Sequence, residues 1–246
     1  LEMCYTEASW LAEYMPSLTM FTAPYLFRDF DHMDKVLNGE IGTDLFDKIA
    51  KEIGVRPLGV YYIGARTINL VKDKEVKSRA DLAGVQLRVP NSESWIYMGK
   101  ALGANPVAMS VNDTYLALQT GTVDGQDNPL PGTMDSKFGE VTKSITLTNH
   151  VVGAVWLAIS EKIWQDMGSE LKSKVMDAGK SSTEYCATTN LENEKKLVEE
   201  FKKLGLSVYT PDITKYKDEV FGYYLDDKEM SGNWDMTLYD KIQAVK

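Results

Sequence analysis

The chain is short of cysteine and histidine, with two of each, Cys4 and Cys186, His32 and His150, among 246 residues. A structural zinc needs three or four clustered Cys or His ligands. The histidines stand far apart with no cysteine close by, so no metal site is expected. Two distant cysteines make no disulfide framework. They can pair only if the fold brings their Cα atoms within about 7 Å, and two separate buried thiols are the expectation. Positive charge is scarce as well. There are 27 Lys and Arg against 36 Asp and Glu, a formal net charge of −9. A nucleic-acid binder needs a basic face, and an anionic membrane surface repels such a chain, so neither partner is expected. An anionic small molecule stays open, because salt screens a distant net charge within about 8–10 Å.

Long apolar runs are missing too. Nothing approaches the roughly 18 residues that cross a bilayer, and Leu1-Glu2-Met3 lacks the basic region that opens a signal peptide. The chain is therefore cytoplasmic, or an exported protein already processed or trimmed. Enzyme signatures are absent: no G-x-G-x-x-G, no G-x-x-x-x-G-K-[ST], and no G-x-S-x-G elbow. His150 has no obvious nucleophile partner. No cofactor is expected.

What is present is an ordinary globular composition, 43% hydrophobic and 26% charged, and an alternation of strand and helix patterns that implies an α/β protein. Leu1–Thr6 alternates as a strand, and a brief helix from Glu7 stops before Pro16. Leu18–Phe27, with Pro24 inside it, reads as packed loop and strand pieces. Phe30 to Ile53 has helical periodicity and Arg56–Leu70 is β-rich. Further strands are expected at Val85–Val89, Asn105–Met109, Val151–Ile159 and Leu206–Tyr209. Ser92 is placed to cap one helix and Ser110 or Asn112 the next. A helical pattern from about Ser169 to Leu204, about 50 Å at 1.5 Å per residue, exceeds one small domain and is expected to cross two.

The most informative stretch is Val85–His150. Leu87-Arg88-Val89-Pro90-Asn91 is a short strand carrying a bidentate donor for carboxylates. Tyr115–Thr120 reads as a helix, and Val123–Pro129 as a polar turn in which Asn128 is held out of helical geometry by Pro129. An arginine and an asparagine on neighbouring elements make an anion-binding pair. An alternative is an α/β enzyme acting on a sugar acid, with Asp124 and Asp127 as acid and base.

Arg-Val-Pro-Asn, Ala-Leu-Gly-Ala-x-Pro, Tyr-Leu-Ala-Leu-Gln-Thr-Gly-x-Val-Asp-Gly-Gln-Asp-Asn-Pro and Lys-Phe-x-Glu-Val follow one another in order. The series resembles the solute-binding proteins of TRAP transporters, the DctP type. The resemblance implies a two-lobed periplasmic-binding-protein fold, type II-like, with crossing strands and one long helix spanning both lobes. The lobes would be residues 1–63 with 154–193 and 64–153 with 194–246. The resemblance also places a strand, a helix and a second strand before Leu1, which are expected to be missing here. It implies a periplasmic monomer that binds a small carboxylate solute and hands it to membrane permease subunits. An acidic sugar such as a uronate or sialic acid comes first among ligands, and a C4-dicarboxylate or other short organic acid second.

The same resemblance assigns residues. Arg88 would grip the ligand carboxylate, the alternative being an ion pair with an acid such as Asp81. Arg66 would add a second contact, or else be a solvated strand end. Asn128 would bond the ligand near its acid group, or else its own backbone. Asp127 is read as an acid at the hinge or behind the contacting groups. Asn91 would support Arg88 or touch the ligand. Glu7 matches a glutamate that meets ligand hydroxyls in the sialic-acid-binding members, the alternative being a helix-start acid favoured by the dipole. Val111 falls where those members carry an aromatic residue, a departure that bears on the sialic acid assignment. Trp10 and Trp95 are either pocket walls or core.

Overall fold

The computed structural model describes residues 2–246, apart from the side chains at 229 and 230. In chain order the elements are β1 (Met3–Thr6), α1 (Ala8–Leu11), α2 (Phe30–Leu37), α3 (Glu40–Ile53), β2 (Val55–Leu70), β3 (Gln86–Val89), α4 (Glu93–Ala101), β4 (Asn105–Ala108), α5 (Val111–Thr120), β5 (Gly125–Pro129), α6 (Leu130–Asp135), β6 (Ser144–Thr146), β7 (Val152–Ser160), α7 (Glu161–Asp166), α8 (Ser169–Lys203), β8 (Ser207–Tyr209), α9 (Thr214–Asp226), α10 (Lys228–Ser231) and α11 (Met236–Ala244). Short 3₁₀ turns cover Pro16–Thr22, Arg79–Leu82 and Phe138–Glu140.

One strand organises the sheet. The order is β1-β7-β2-β5-β3-β4, with β6 pairing both β2 and β8. The 16-residue β2 first runs antiparallel to β7, from Val55 opposite Ser160 to Ala65 opposite Val152. It then leaves β7, and Arg66–Leu70 pairs antiparallel with β5 while Ile68–Leu70 pairs with β6. The change of partner coincides with a register slip between Tyr62 and Gly64. Gly64 has φ +108°, a conformation that favours a residue without Cβ. Across from it, a Cβ on Gly153 would lie 2.4 Å from the Gly64 carbonyl oxygen, so the two strands cross closer than any side chain allows.

The helix α8 follows β2 through this change. Its 35 residues span about 50 Å. Its first half lies on the early part of β2, where Ser182 Oγ and Tyr61 Oη are 2.5 Å apart. Its second half buries Leu197 and Phe201 against Leu130, Ile145 and Leu206. The Ser/Thr-rich middle continues helical, with Ser182, Thr183 and Thr188 hydroxyls donating to carbonyls one turn back. At the far end, α11 folds back on α2: His32 Nε2 meets the Ile242 carbonyl at 2.9 Å, and Gln243 donates to Leu26 at 2.9 Å.

Several expectations change. The first strand starts at Met3, and Leu1 lies outside the described residues. Residues 16–22 form a 3₁₀ helix rather than strand pieces, because Leu18, Met20 and Thr22 all turn inward and Thr19 and Thr22 hydroxyls close their own turns. The pattern from Phe30 to Ile53 is two helices, since α2 ends at Leu37 and Gly42 of α3 packs directly on the Leu37 carbonyl. Residues 125–129 are strand β5, not a polar turn. Their polarity hid the strand: Gln126 and Asp127 face inward and are fully buried.

The tight crossing makes a prediction. Gly153→Ala should cost about 1–3 kcal/mol by overpacking. Gly222→Ala in α9, where nothing lies within 4 Å of the new methyl, should gain about 0.5–1 kcal/mol. Denaturant midpoints measure both, and equal midpoints would contradict the close approach.

Candidate functional site

The site begins two residues beyond the crossing at Gly64. Arg66 donates its backbone N–H to the Val151 carbonyl at 2.8 Å, and its side chain is buried. Its Nε donates to Asp127 Oδ2 and its Nη2 to the Asp127 carbonyl at 2.9 Å. Asp127 sits on β5 opposite Ile68, two places along the same face from Arg66, a diagonal pair within reach of a long side chain. The guanidinium lies 4.5 Å from the ring centre of Trp95, which supplies a cation–π contact.

Arg88 enters from β3. Its Nε and Nη2 both donate to the Met109 carbonyl, at 2.9 and 2.7 Å. Met109 follows β4, whose parallel register sets Val107 beside Arg88. Asp81 is not its partner: that carboxylate accepts from Lys77, Ser78 N and Ser78 Oγ and closes a capping box. The two arginines share a design. Each is fixed through Nε and Nη2, and each keeps an Nη1 that makes no hydrogen bond among the described residues.

Both are buried, Arg66 to 4% exposure and Arg88 to 3%, and Asp127 is fully buried with them. Burial pushes the Arg88 guanidinium down to about 10; the charge of Asp127 works against that and the charge of Arg66 adds to it. Burial alone would raise the Asp127 carboxyl, but Arg66 and His150 together outweigh it and hold it well below the usual carboxylate range. Among the buried groups, two guanidiniums around one carboxylate leave one positive charge in excess, which the half-buried Glu7 partly offsets. An unpaired buried charge is costly, and an entering anion relieves it.

His150 stands behind Asp127. Its Nδ1 bonds the Thr148 hydroxyl at 2.8 Å, and its Nε2 lies 3.5 Å from Asp127 Oδ2, an electrostatic contact rather than a good hydrogen bond. Burial pushes its pKa down, against the pull of Asp127.

Glu7 reaches the same region from the start of α1. Its Oε2 accepts from Ser9 Oγ and from Trp95 Nε1, both at 3.2 Å. Glu7, Ser9, Arg66, Trp95, Val152 and Gly153 line one narrow cavity of about 20 Å³, room for about one water. A groove of about 540 Å³ adjoins it at Ser9 and is lined by Glu13, Thr19, Ser92 and Ser94. Residues Glu7, Arg66, Arg88 and Asp127 are thus brought together. Asn128 is half-buried beside them on β5; its carbonyl accepts from Thr67 Oγ1 at 3.0 Å and its carboxamide packs over Gly132. Asn91 is exposed just after β3, and Val111, 44% exposed, opens α5; neither lines the cavity.

Two partners carried no usable sequence signal. The Met109 carbonyl that fixes Arg88 is backbone and has no side-chain signature. His150 looked isolated because Asp127 is distant in sequence. Trp95 sits both in the core and on the wall of this cavity.

Residues 1–226 match the family described as bacterial extracellular solute-binding protein, family 7 (DctP). The chain is 31% identical over 245 residues to the sialic acid-binding periplasmic protein SiaP of Vibrio cholerae, covering 100% of this chain and 75% of that protein. Among solved structures it is similar to a TRAP periplasmic solute-binding protein from Roseobacter denitrificans with bound 3-deoxy-D-manno-oct-2-ulosonic acid, at TM-score 0.95 and 36% identity, covering 99% of this chain and 81% of that one. A TRAP periplasmic solute-binding protein from a Bradyrhizobium species in complex with galacturonate superimposes at TM-score 0.88 with 31% identity, over 100% of this chain and 81% of that one.

The buried histidine predicts a pH dependence. Folding keeps His150 neutral, so below about pH 6.5 the unfolded chain binds a proton that the folded chain refuses, and stability falls as pH falls. The slope is at most about 1.4 kcal/mol per pH unit. Asp127, held low, keeps its contribution until the pH drops below the ordinary carboxylate range. Between pH 7 and 5 the melting temperature of His150→Gln should fall less steeply than that of the wild type; parallel profiles would contradict the assignment.

Proposed function

This chain belongs to the bacterial extracellular solute-binding proteins of family 7, and from that premise we propose that it captures a sugar acid between two lobes and delivers it to a membrane permease of the TRAP type. The observation that supports the reading most is the surplus charge of Arg66 and Arg88 around Asp127, with one Nη1 of each uncommitted. A carboxylate placed between them accepts a charge-assisted hydrogen bond from each, on the order of 1.5–3 kcal/mol apiece. Glu7 and the hydroxyl-lined groove beside it suit the hydroxyls of an acidic sugar, since a carboxylate accepts from two of them. Asn128, on the strand that carries Asp127, bonds the solute near its acid group, and Asn91 supports the turn after Arg88. Val111 forms the outer rim in place of an aromatic residue.

The lobes are residues 1–63 with 154–193 and 64–153 with 194–246, the last helix of the second tied back onto the first through His32 and Leu26. The hydrogen bond from Trp95 to Glu7 crosses between them. A cavity of about 20 Å³ does not admit a sugar, so the lobes part to take it in and shut over it, a hinge motion driven by contacts made only in the closed form. No step here is catalytic, and the family is one of receptors rather than enzymes. Its members work outside the cytoplasm; among the described residues no helix is long and apolar enough to cross a membrane.

A thermal-shift screen of uronates, sialic acids, 3-deoxy-D-manno-oct-2-ulosonic acid and C4-dicarboxylates tests the ligand class, because a ligand at 100 times its dissociation constant adds about 2.7 kcal/mol. A shift with dicarboxylates alone would replace the sugar acid by the shorter ligand. Replacing Arg88 by Lys should weaken binding ten- to a hundredfold, about 1.4–2.8 kcal/mol, because a point charge cannot both hold Met109 and reach the solute. An unchanged affinity by calorimetry would remove Arg88 from the site.

A further inference from the structure

The long helix α8 grips the backbone of β2 at the point where that strand changes partners. Cys186, Asn190 and Glu194 repeat every four residues along one helix face. Cys186 Sγ and Asn190 Nδ2 both donate to the Tyr62 carbonyl, at 3.4 and 2.8 Å. Glu194 accepts from two groups of the same stretch: the Ala65 N–H on Oε1 at 2.8 Å and the Tyr62 hydroxyl on Oε2 at 2.6 Å. These bonds bracket the register slip between Tyr62 and Gly64. Gly64 has room for no side chain here, since a Cβ would lie 3.0 Å from Glu194 Oε1 and 2.8 Å from Pro129.

The next peptide carries the consequence. The Ala65 N–H points to Glu194 and the Arg66 N–H to the Val151 carbonyl. Two consecutive amides are thereby fixed on opposite sides of the strand, immediately before the arginine that bonds Asp127. On the helix side lies a groove of about 530 Å³ lined by Tyr62, Ala65, Val152, Leu191, Glu194 and Val198. Glu194 makes no ion pair with a cation among the described residues, although Lys195 is its neighbour. Burying its carboxylate is unfavourable without donors, and the two donors it has are both on the bent segment.

We propose that Glu194 is a positioning residue for the ligand cleft: through Ala65 and Tyr62 it sets the bend of β2, and with it the lobe angle and the aim of Arg66, without touching the solute. The nature of the bound solute rests on the receptor reading above; the grip on the hinge does not.

The test compares Glu194→Ala with Glu194→Gln, whose carboxamide oxygen still accepts from Ala65. Hydrogen exchange of the Ala65 amide is read in the solute-free protein, and affinity for 3-deoxy-D-manno-oct-2-ulosonic acid by calorimetry. In Glu194→Ala the amide should exchange at least about tenfold faster and the affinity drop about tenfold, as one lost charge-assisted bond allows, while Glu194→Gln stays within about threefold in both. Faster exchange with unchanged affinity would reduce Glu194 to a structural residue and overturn the proposal. If the wild type binds neither this acid nor any other sugar acid of the screen, the sugar-acid reading fails, and small-angle scattering of the solute-free proteins decides instead. A larger radius of gyration in Glu194→Ala supports the grip on the hinge, and superimposable curves refute it. Should Glu194→Ala fail to fold, Tyr62→Phe removes one of the two bonds at nearly constant volume and takes the same readouts with a smaller shift.

Discussion

Two buried guanidiniums share one buried carboxylate, and the rest of the molecule is arranged to make that tolerable. Asp127 binds Arg66 through both its side chain and its carbonyl, and Arg88 leans on a carbonyl alone. Each arginine is immobilised by two of its nitrogens, so little freedom remains to be lost when the third finds an acceptor. The chain's overall charge of −9 has no bearing at this range. On the proposed reading, a protein acidic as a whole attracts an acid at one point, where two guanidiniums are buried beside one fully buried carboxylate.

The placement of that charge depends on β2 changing partners within a single strand. Its first eleven residues belong to the pairing with β7 and its last five to the pairing with β5, and Arg66 is the first residue past the exchange. Side chains on the two parts of such a strand move relative to each other when the bend at Gly64 changes. The long helix follows the same course and grips the strand at the bend. The position of Arg66 therefore depends on one short segment, and the cavity beside it is narrow, about 20 Å³.

Much of this was legible in the residues. Arg88 stood out through the Arg-Val-Pro-Asn series and the family it resembles, since an arginine on a strand is by itself more often a structural or surface group. The long helix followed from spacing alone, and Ser92 caps α4 as expected, accepting from Trp95 N. Strand β5 was hidden because its inward side chains are polar: Gln126 pairs with Asn69 and Thr133, and Asp127 with Arg66, so the alternation that marks a strand never appears. The partners of Arg66 and Arg88 were equally hidden. One is a distant acid first read as part of a turn, and the other is a main-chain carbonyl that any residue would supply. Glu194 carried no sequence signal, because its partners lie on a bulge in another element.

The most direct measurement sets D-galacturonate, D-glucuronate and 3-deoxy-D-manno-oct-2-ulosonic acid against neutral sugars of matching shape, such as D-galactose for D-galacturonate, by calorimetric titration at one ionic strength. The charge surplus between Arg66 and Arg88 predicts that at least one acid binds and that its uncharged counterpart binds on the order of a hundredfold more weakly or not at all. A neutral sugar binding within about threefold of its acid, or no acid binding, would contradict it.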